Sequence, residues 1–442
     1  MRRSITMKRG VGVLLATLLI SATACGSDDN AADSTTAATA GTPETTAESG
    51  GADPPDTTEA GTTSPPSTSG PATGEPIEIA GIFNLTGPAA ATGVTEANGV
   101  QLAIEQINAA GGVDGRPIEL AVGDAESNPD TAVKLTRDFV RDGYQAIVGP
   151  TLASQCQAAR EISEAAGVTL YCLSPIPPQS DLVFNIEYSP ISILSAIPAK
   201  FMAEQGWTRV ACLHAADVSG QAYLSTLEAM APAFGLEIVA VESFQPGDVD
   251  VAAQLTNIRA ADPDVVMSCA SGGDHPTVLR GMQQLGMDLP VVLGFGGLSY
   301  EVLDLAADFL PESGAFSAGS TVLVADQLPE DFPGRDGAIV FRDEYEAKFG
   351  VLPSHNAGIA FDAMLVLGEA LKSSPEDGAA IADALEQVCD FQGVLTTYCL
   401  SPEDHSGFQL VTPMIVRWAE DRFDLESILD PEGIPGRTPP ED

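Results

Sequence analysis

The stretch EIAGIFNLTGPAAATGVTEANGVQLAIEQINAAGGVDGRPIELAV, residues 78–122, decides the fold class. Residues 78–83 form a short apolar run, and residues 118–122 repeat that pattern after an intervening segment. Within that segment, residues 96–109 carry apolar side chains at the spacing of one helix face, and two glycines follow soon after. A strand, a helix and a second strand in this order predict two parallel strands joined by a crossover helix.

The same alternation of short apolar runs and amphipathic stretches continues along the chain. It predicts an α/β architecture in which helices cover both faces of a parallel sheet. Because the alternation restarts after about residue 194, we expect two doubly wound lobes. Ligand crevices in such sheets lie beyond the carboxyl ends of the strands. Further strands are predicted at 146–148, 169–173, 209–214, 237–244, 265–269 and 291–293, and further helices at 130–142, 154–166, 194–205, 221–234, 251–261 and 276–285.

Residues 1–25 have the layout of a secretory signal peptide. Basic residues precede the apolar run 11–20, which is too short to span a bilayer, and small residues then lead into Cys25. The segment resembles a bacterial lipoprotein signal, in which this cysteine is lipidated and becomes the first residue of the mature chain. Plain secretion, with Cys25 cleaved off or left unmodified, is the alternative. Both interpretations predict an extracytoplasmic protein, and the first attaches it to the outer face of the cell membrane.

Two segments lack the apolar residues that a packed core needs. Residues 26–75 consist almost wholly of Ser, Thr, Ala, Gly, Pro, Asp and Glu, which predicts a disordered linker. Residues 430–442 are rich in Pro, Gly and acidic residues and are expected to form a flexible tail. The roughly 350 residues between these segments exceed the usual size of a single core, so two domains are expected.

Charge and composition argue against several classes of function. A formal net charge of −42 makes the chain a poor partner for nucleic acid. The four histidines are scattered and no CxxC occurs, so neither a metal nor a cofactor is expected. The sequence also lacks GxSxG, HExxH and Walker motifs. His214 and Asp217 lie at the end of one predicted strand, but without a recognisable nucleophile we interpret them as polar rim residues rather than catalysts.

Seven cysteines occur, and setting Cys25 aside leaves an even number in an oxidising compartment. Neighbours in the sequence suggest three disulfides, although free buried thiols are the alternative for some of these residues. The predicted pairs are Cys156–Cys172, Cys212–Cys269 and Cys389–Cys399.

Small hydroxyl and glycine residues follow the predicted strands. Backbone N–H groups at the helix starts in such loops favour polar or anionic ligand atoms. Helix capping is the alternative role for Thr86, Thr151 and Ser154. Tyr188 and Phe295 are candidates for stacking on a ligand, with a place in the hinge or core as the alternative. The other candidate ligand-binding residues are Gly87, Ser174, Ser219 and Asp274.

Several phrases of the sequence, in this order, resemble one family. They are similar to the substrate-binding proteins of branched-chain amino-acid-type ABC transporters, which have the type I periplasmic binding fold. The resemblance covers about residues 76–425. The phrases are IAGIFNLTGPAAATG, GVQLAIEQINAAGGVDGRPIEL, DAESNPDTAVKLTRDFVRDGYQAIVGP, GLEIVAVESFQPGDVDVAAQLTNIRAADPDVV and HNAGIAFDAMLVLGEAL.

The resemblance implies that the chain crosses three times between two lobes. Lobe one is then expected at 77–193 plus 320–388, and lobe two at 194–319 plus 389–425. A ligand is expected in the cleft between the lobes, which close over it by bending at a three-strand hinge. The resemblance also implies a monomer that delivers its solute to a membrane permease without chemical change. An extracellular sensor subunit with the same fold, which reports a solute to a signalling partner, is the alternative.

Site residues carry over from the family only in part. Thr86-Gly87 and Ser174-Pro175 match family loops, and Thr151 and Ser154 occupy the loop that frames the ligand carboxylate. Three departures concern the rest of the site. An Arg and a hydroxyl are missing at 184–186, Ser219-Gly220 replaces a Tyr-Gly, and no acidic residue for an amino group occurs at 294–298, where Asp274 or Glu301 would have to substitute. We therefore expect a small polar or carboxylated solute, with leucine, isoleucine and valine as one option.

Overall fold

The computed structural model describes residues 72–174, 176, 180–185, 195–270, 272–295, 298–373, 375–409 and 412–434. These residues fall in one compact unit, Pro66–Asp442. The predicted leader with Cys25, the linker up to residue 71, Tyr188 and the tail from residue 435 lie outside the described residues.

The first sheet has five parallel strands in the order β2-β1-β3-β4-β5. Helices alternate with the first four strands, as the sequence predicts. The strands are β1 (Ile77–Phe83), β2 (Ile118–Asp124), β3 (Ala146–Val148), β4 (Thr169–Cys172) and β5 (Val183–Asn185), and the helices are α1 (Ala90–Ala109), α2 (Pro129–Asp142) and α3 (Ala153–Ala166).

The second sheet has seven strands in the order β14-β13-β10-β9-β8-β6-β7. Its strands are β6 (Arg209–Ala215), β7 (Glu237–Phe244), β8 (Val265–Cys269), β9 (Val291–Leu293), β10 (Ala315–Ala318), β13 (Met414–Trp418) and β14 (Phe423–Ile428). The helices that alternate with them are α4 (Ile197–Glu204), α5 (Val218–Met230), α6 (Ala252–Ala260), α7 (Asp274–Gln284) and α8 (Tyr300–Ala306). Strand β13 runs antiparallel to both β10 and β14, so the predicted parallel sheet carries an antiparallel edge.

After β10 the chain returns to the first sheet through α9 (Arg335–Phe349), α10 (His355–Leu371) and α11 (Gly378–Leu385). Helix α10 packs closely on α1, because a Cβ at Gly99 would lie 2.3 Å from the Ala357 carbonyl oxygen. We call the first sheet with its helices and α9–α11 the first lobe, and the second sheet with its helices the second lobe.

A short hairpin, β11 (Phe391–Gln392) with β12 (Thr397–Tyr398), precedes the return to the second sheet. The segment after it packs on the first lobe through His405, whose ring stacks on Phe184 with centroids 4.2 Å apart. The two ring nitrogens of His405 lie 3.0 Å from the Val183 carbonyl oxygen and 3.0 Å from Glu386 Oε1.

The three predicted disulfides are confirmed. Cys156–Cys172 joins α3 to β4, Cys212–Cys269 joins the neighbouring strands β6 and β8, and Cys389–Cys399 closes the hairpin. Free thiols at these positions are therefore excluded.

Candidate functional site

Three buried polar residues occupy the carboxyl edge of the first sheet. Asn84 follows β1, Thr151 follows β3, and Gln155 lies in the first turn of α3. The Thr151 hydroxyl oxygen accepts a 3.3 Å hydrogen bond from the Asn84 backbone N–H. The Asn84 and Gln155 amides bond reciprocally, at 3.1 and 2.8 Å. Thr151 therefore lies at the predicted edge of the sheet. The sequence analysis did not identify the amide pair of Asn84 and Gln155 that supports it, although Asn84 directly follows a predicted strand.

Thr86 and Gly87 organise the loop beside that network. The Thr86 hydroxyl donates a 2.7 Å hydrogen bond to Asp124 at the end of β2. Burial acts to raise the pKa of Asp124, but hydrogen bonds from Thr86, Glu126 and Leu85 together hold the pKa below its usual value. Gly87 has φ +87°, and a Cβ there would lie 2.7 Å from Ser127 Oγ. These contacts give both residues a role in shaping the loop; their contact with a ligand stays a prediction.

Ser154 and Ser174 lie on the same edge as Thr151. Ser154 is exposed in the first turn of α3, and half-buried Ser174 follows β4. Strands β3 and β4 are paired with Val148 opposite Tyr171, so the loops that follow them are neighbours. Hydroxyl groups at the positive end of a helix dipole suit a carboxylate or another anionic group.

Ser219 and Asp274 lie on helices that begin at the carboxyl edge of the second sheet. Half-buried Ser219 is in the first turn of α5, which Asp217 caps by accepting from the Gly220 backbone N–H at 2.7 Å. Asp274 begins α7 and accepts a 3.0 Å hydrogen bond from the Gly247 backbone N–H. Burial, with the negative charges of Asp217 and Asp248, raises the pKa of Asp274 despite that bond. A cation near Asp274 would favour the charged form of the carboxyl and so act against both effects.

Phe295 reaches the opposite lobe. It follows β9, and its ring packs edge-to-face on the imidazole of His355, the first residue of α10, with centroids 4.3 Å apart. His355 Nδ1 lies 2.9 Å from Ser320 Oγ. Burial lowers the pKa of His355 to about 3, so the ring is neutral near pH 7. The sequence did not point to His355, because its partners lie far away along the chain.

A second buried histidine holds the loop that carries Phe295. The ring nitrogens of His275 lie 3.0 Å from Ser268 Oγ and 3.1 Å from the Gly294 carbonyl oxygen. Burial lowers the pKa of His275 to about 4, although the contact with Gly294 acts in the opposite direction. A neutral His275 therefore links the ends of β8 and β9 and fixes the backbone next to Phe295.

Three further observations bear on the class of site. Within the described residues, no three His, Cys, Asp or Glu side chains gather as metal ligands would. None of the helices in the described part of the chain is long and apolar enough to cross a membrane. Tyr188, the other aromatic candidate, lies outside the described residues.

Residues 76–421 match the family model described as periplasmic binding protein. A leucine-, isoleucine-, valine-, threonine- and alanine-binding protein from Pseudomonas aeruginosa is 26% identical over 322 residues, which cover 70% of this chain and 82% of that protein. An extracellular ligand-binding receptor from Rhodopseudomonas palustris HaA2 has a similar structure, with a TM-score of 0.72 and 23% identity over 80% of this chain and 100% of the other.

A third similar structure is the branched-chain amino acid transporter substrate binding protein LivJ from Streptococcus pneumoniae, in complex with isoleucine. Its TM-score is 0.67, with 25% identity over 80% of this chain and 99% of that one. The chain belongs to the periplasmic binding protein family, and its fold is the type I fold of leucine-binding proteins. The predicted fold class and the predicted family are confirmed.

Proposed function

We propose that this protein is the extracytoplasmic solute receptor of an ABC importer, which captures a small polar or carboxylated solute between its two lobes. The contact of Phe295 with His355 carries this proposal, because it shows the second lobe meeting the first beside the strand ends. A solute held there touches both lobes and favours their closed arrangement.

The chemistry of the two edges supports an amino-acid-like solute. Thr151, Ser154 and Ser174 supply hydroxyl groups beside the start of α3, where a carboxylate is favoured. Asp274 supplies a carboxylate on the opposite lobe, where an amino group would be favoured. The amino acids that the Pseudomonas relative is named for and the isoleucine bound to LivJ support the same class.

For the lobes we propose the bounds that the resemblance implies. Lobe one comprises 77–193 plus 320–388, and lobe two comprises 194–319 plus a second segment, for which the resemblance implies 389–425. The contacts of His405 with Val183 and Glu386 favour placing the third crossing between residues 405 and 414, later than residue 389. Lipidation of Cys25, a monomeric state and delivery to permease subunits complete the proposal, and no catalytic step belongs to it.

Calorimetric titration of the secreted chain, from residue 26 onward, with a panel of amino acids and carboxylates tests this function. We expect saturable binding with one solute per chain. Ser154→Ala and Asp274→Asn should each weaken binding about tenfold, as the loss of one charge-assisted hydrogen bond does. Asp383→Asn is the control, because Asp383 is exposed on α11 and is not among the candidate ligand residues. Equal affinity in all four proteins would refute the proposed site.

A further inference from the structure

The three disulfides differ in how much solvent reaches them. Both cysteines of Cys156–Cys172 and both cysteines of Cys212–Cys269 are 0% exposed. In the third pair, Cys389 is exposed and Cys399 is half-buried. A thiolate opens a disulfide by direct attack on one of its sulfur atoms, so the rate depends on access to that sulfur. In the folded chain, Cys389–Cys399 is therefore the disulfide that a thiol in solution reaches most readily.

The loop that this disulfide closes is attached to the first lobe. Cys389 comes shortly after α11, and the hairpin of β11 and β12 lies between the two cysteines. The backbone N–H groups of Val394 and Leu395, at the tip of the hairpin, donate to the buried carboxylate of Asp362 in α10 at 2.8 and 3.0 Å. The position of the loop is thus fixed by a helix of the first lobe.

The same loop contacts two segments that run between the lobes. The Leu395 carbonyl oxygen accepts a 3.1 Å hydrogen bond from the hydroxyl of Thr321, which lies where the chain leaves β10 for the first lobe. The Thr397 carbonyl oxygen accepts a 3.1 Å hydrogen bond from the backbone N–H of Gln409, which leads on to β13 of the second lobe. Residues 389–399 therefore join both of these crossing segments to the first lobe.

The disulfide closes the loop at the base of a short hairpin. Strands β11 and β12 pair through only two residues each, and a two-stranded hairpin is marginally stable in water. Next to the disulfide, the backbone N–H of Leu400 donates to the Val388 carbonyl oxygen at 2.8 Å. A cross-link limits the arrangements that an opened loop can adopt. Loss of the disulfide should therefore let the loop open locally more often, without unfolding of the lobes.

We propose that Cys389–Cys399 is a site of thiol–disulfide exchange, at which a small dithiol opens the disulfide and thereby loosens the loop that joins the two crossing segments. One thiolate of the dithiol attacks Cys389 Sγ, forms a mixed disulfide and releases Cys399 as a thiolate, which takes up a proton. The second thiol of the dithiol loses its proton and attacks the dithiol sulfur of the mixed disulfide. It thereby releases Cys389, which is protonated in turn.

The exchange is balanced by the dithiol itself. The protein gains two electrons and two protons, and the dithiol loses both and leaves as a cyclic disulfide. The proposal goes beyond the receptor function, because neither the exchange nor the loosening of the loop requires a bound solute.

Alkylation of the folded chain measures which disulfide opens. The secreted chain, from residue 26 onward, carries only the six paired cysteines and so begins without a free thiol. It is treated with dithiothreitol in the absence of denaturant and then with N-ethylmaleimide, and the alkylated peptides are identified by mass spectrometry. We expect Cys389 and Cys399 to be alkylated at least about tenfold faster than the other four cysteines. Equal or faster alkylation of either buried pair, or an intact Cys389–Cys399, would overturn the proposal.

Amide hydrogen exchange measures the loosening of the loop. In the chain treated with dithiothreitol, peptides that contain Val394 and Leu395 should exchange about fivefold to tenfold faster, and peptides that contain β3 should not change. The double variant Cys389→Ser, Cys399→Ser should show the same fast exchange without dithiothreitol and no further effect of adding it. Unchanged exchange at Val394 and Leu395 in both proteins would overturn the proposal. Equally faster exchange at β3 would also overturn it, because the opening would then not be local.

Discussion

The carboxylate of Asp362, in the middle of α10, accepts a 2.9 Å hydrogen bond from the hydroxyl of Tyr398, and both residues are fully buried. The backbone N–H groups of Val394 and Leu395 donate to the same carboxylate at 2.8 and 3.0 Å. Gly393 allows this approach, since a Cβ there would lie 2.4 Å from Asp362 Oδ2. One buried acid therefore anchors the hairpin of β11 and β12 to the first lobe.

This anchor predicts a pH-dependent stability. Burial raises the pKa of Asp362 from 3.8 to about 7, against the opposing effect of its hydrogen bonds. Because the pKa is higher in the folded state, this contribution is fully present below about pH 4 and is lost as the pH rises through about 7. As the pH rises from about 4 to above about 7, loss of this contribution should lower the free energy of unfolding by on the order of 4 kcal/mol.

Urea unfolding of the wild type and of Asp362→Asn, at about pH 5 and about pH 8, measures this contribution. At about pH 5, Asp362→Asn should be less stable than the wild type. It should also lack most of the change in stability that the wild type shows between about pH 5 and about pH 8. Identical pH dependence in both proteins would show that Asp362 does not titrate in this range.

Alanine substitutions at Gly87 and Gly115 distinguish the stability cost of backbone strain from that of steric overlap. Both have a left-handed backbone, with φ of +87° and +83°. An added Cβ meets Ser127 and the Glu126 carbonyl oxygen at Gly87 but nothing within 4 Å at Gly115. Gly115→Ala should cost about 1 kcal/mol of stability, and Gly87→Ala about 1–2 kcal/mol more. Thermal or urea unfolding measures both, and equal losses would mean that the loop at Gly87 relaxes freely.

Substitution of Thr151 should lower both stability and ligand affinity, whereas substitution of Ser154 should lower ligand affinity alone. Thr151→Val removes the acceptor of the buried Asn84 N–H and should cost about 1–3 kcal/mol of stability as well as ligand affinity. Ser154→Ala, at an exposed position, should change stability by less than about 0.5 kcal/mol and lower affinity alone. Unfolding and calorimetry on both variants test this, and a destabilised Ser154→Ala would contradict the assignment.

The disulfide between Cys156 and Cys172 should stabilise the first lobe. It closes a loop with a sequence separation of 16, for which the chain-entropy estimate is about 3 kcal/mol. The double variant Cys156→Ala, Cys172→Ala should lose about that much stability in urea unfolding. A thiol reductant should destabilise the wild type more than the variant. In the wild type it also breaks Cys156–Cys172, whereas in the variant it breaks only the two disulfides that remain. No difference between the oxidised proteins would refute the contribution.

Much of the fold followed from local patterns. Alternating apolar runs located β1 to β4 and β6 to β9, and proximity in the sequence identified the disulfide partners. Helix α1 begins at Ala90, six residues before the predicted start, because residues 90–95 lack the apolar stripe that marked the rest of the helix. Strands β10, β13 and β14 were not predicted, since a mixed sheet edge interrupts the alternation of strand and helix.

The sequence predicted the candidate site less completely than it predicted the fold. Thr151 was found because it lies in the loop after β3, at the edge of the sheet where topology places ligands. His355 was missed because its partners Ser320 and Phe295 are 35 and 60 residues away and come together only when the lobes meet. Asp362 was missed because a charged residue in an apolar helix gives no local sign of the distant donors that hold it.

A crystal structure of the secreted chain with the amino acid that binds tightest in calorimetry tests the central claim most directly. We predict that the solute lies between the lobes, with its carboxylate within hydrogen-bond distance of Thr151 or Ser154 and its opposite side in contact with the second lobe. A solute bound to one lobe only, away from both strand edges, would contradict the account.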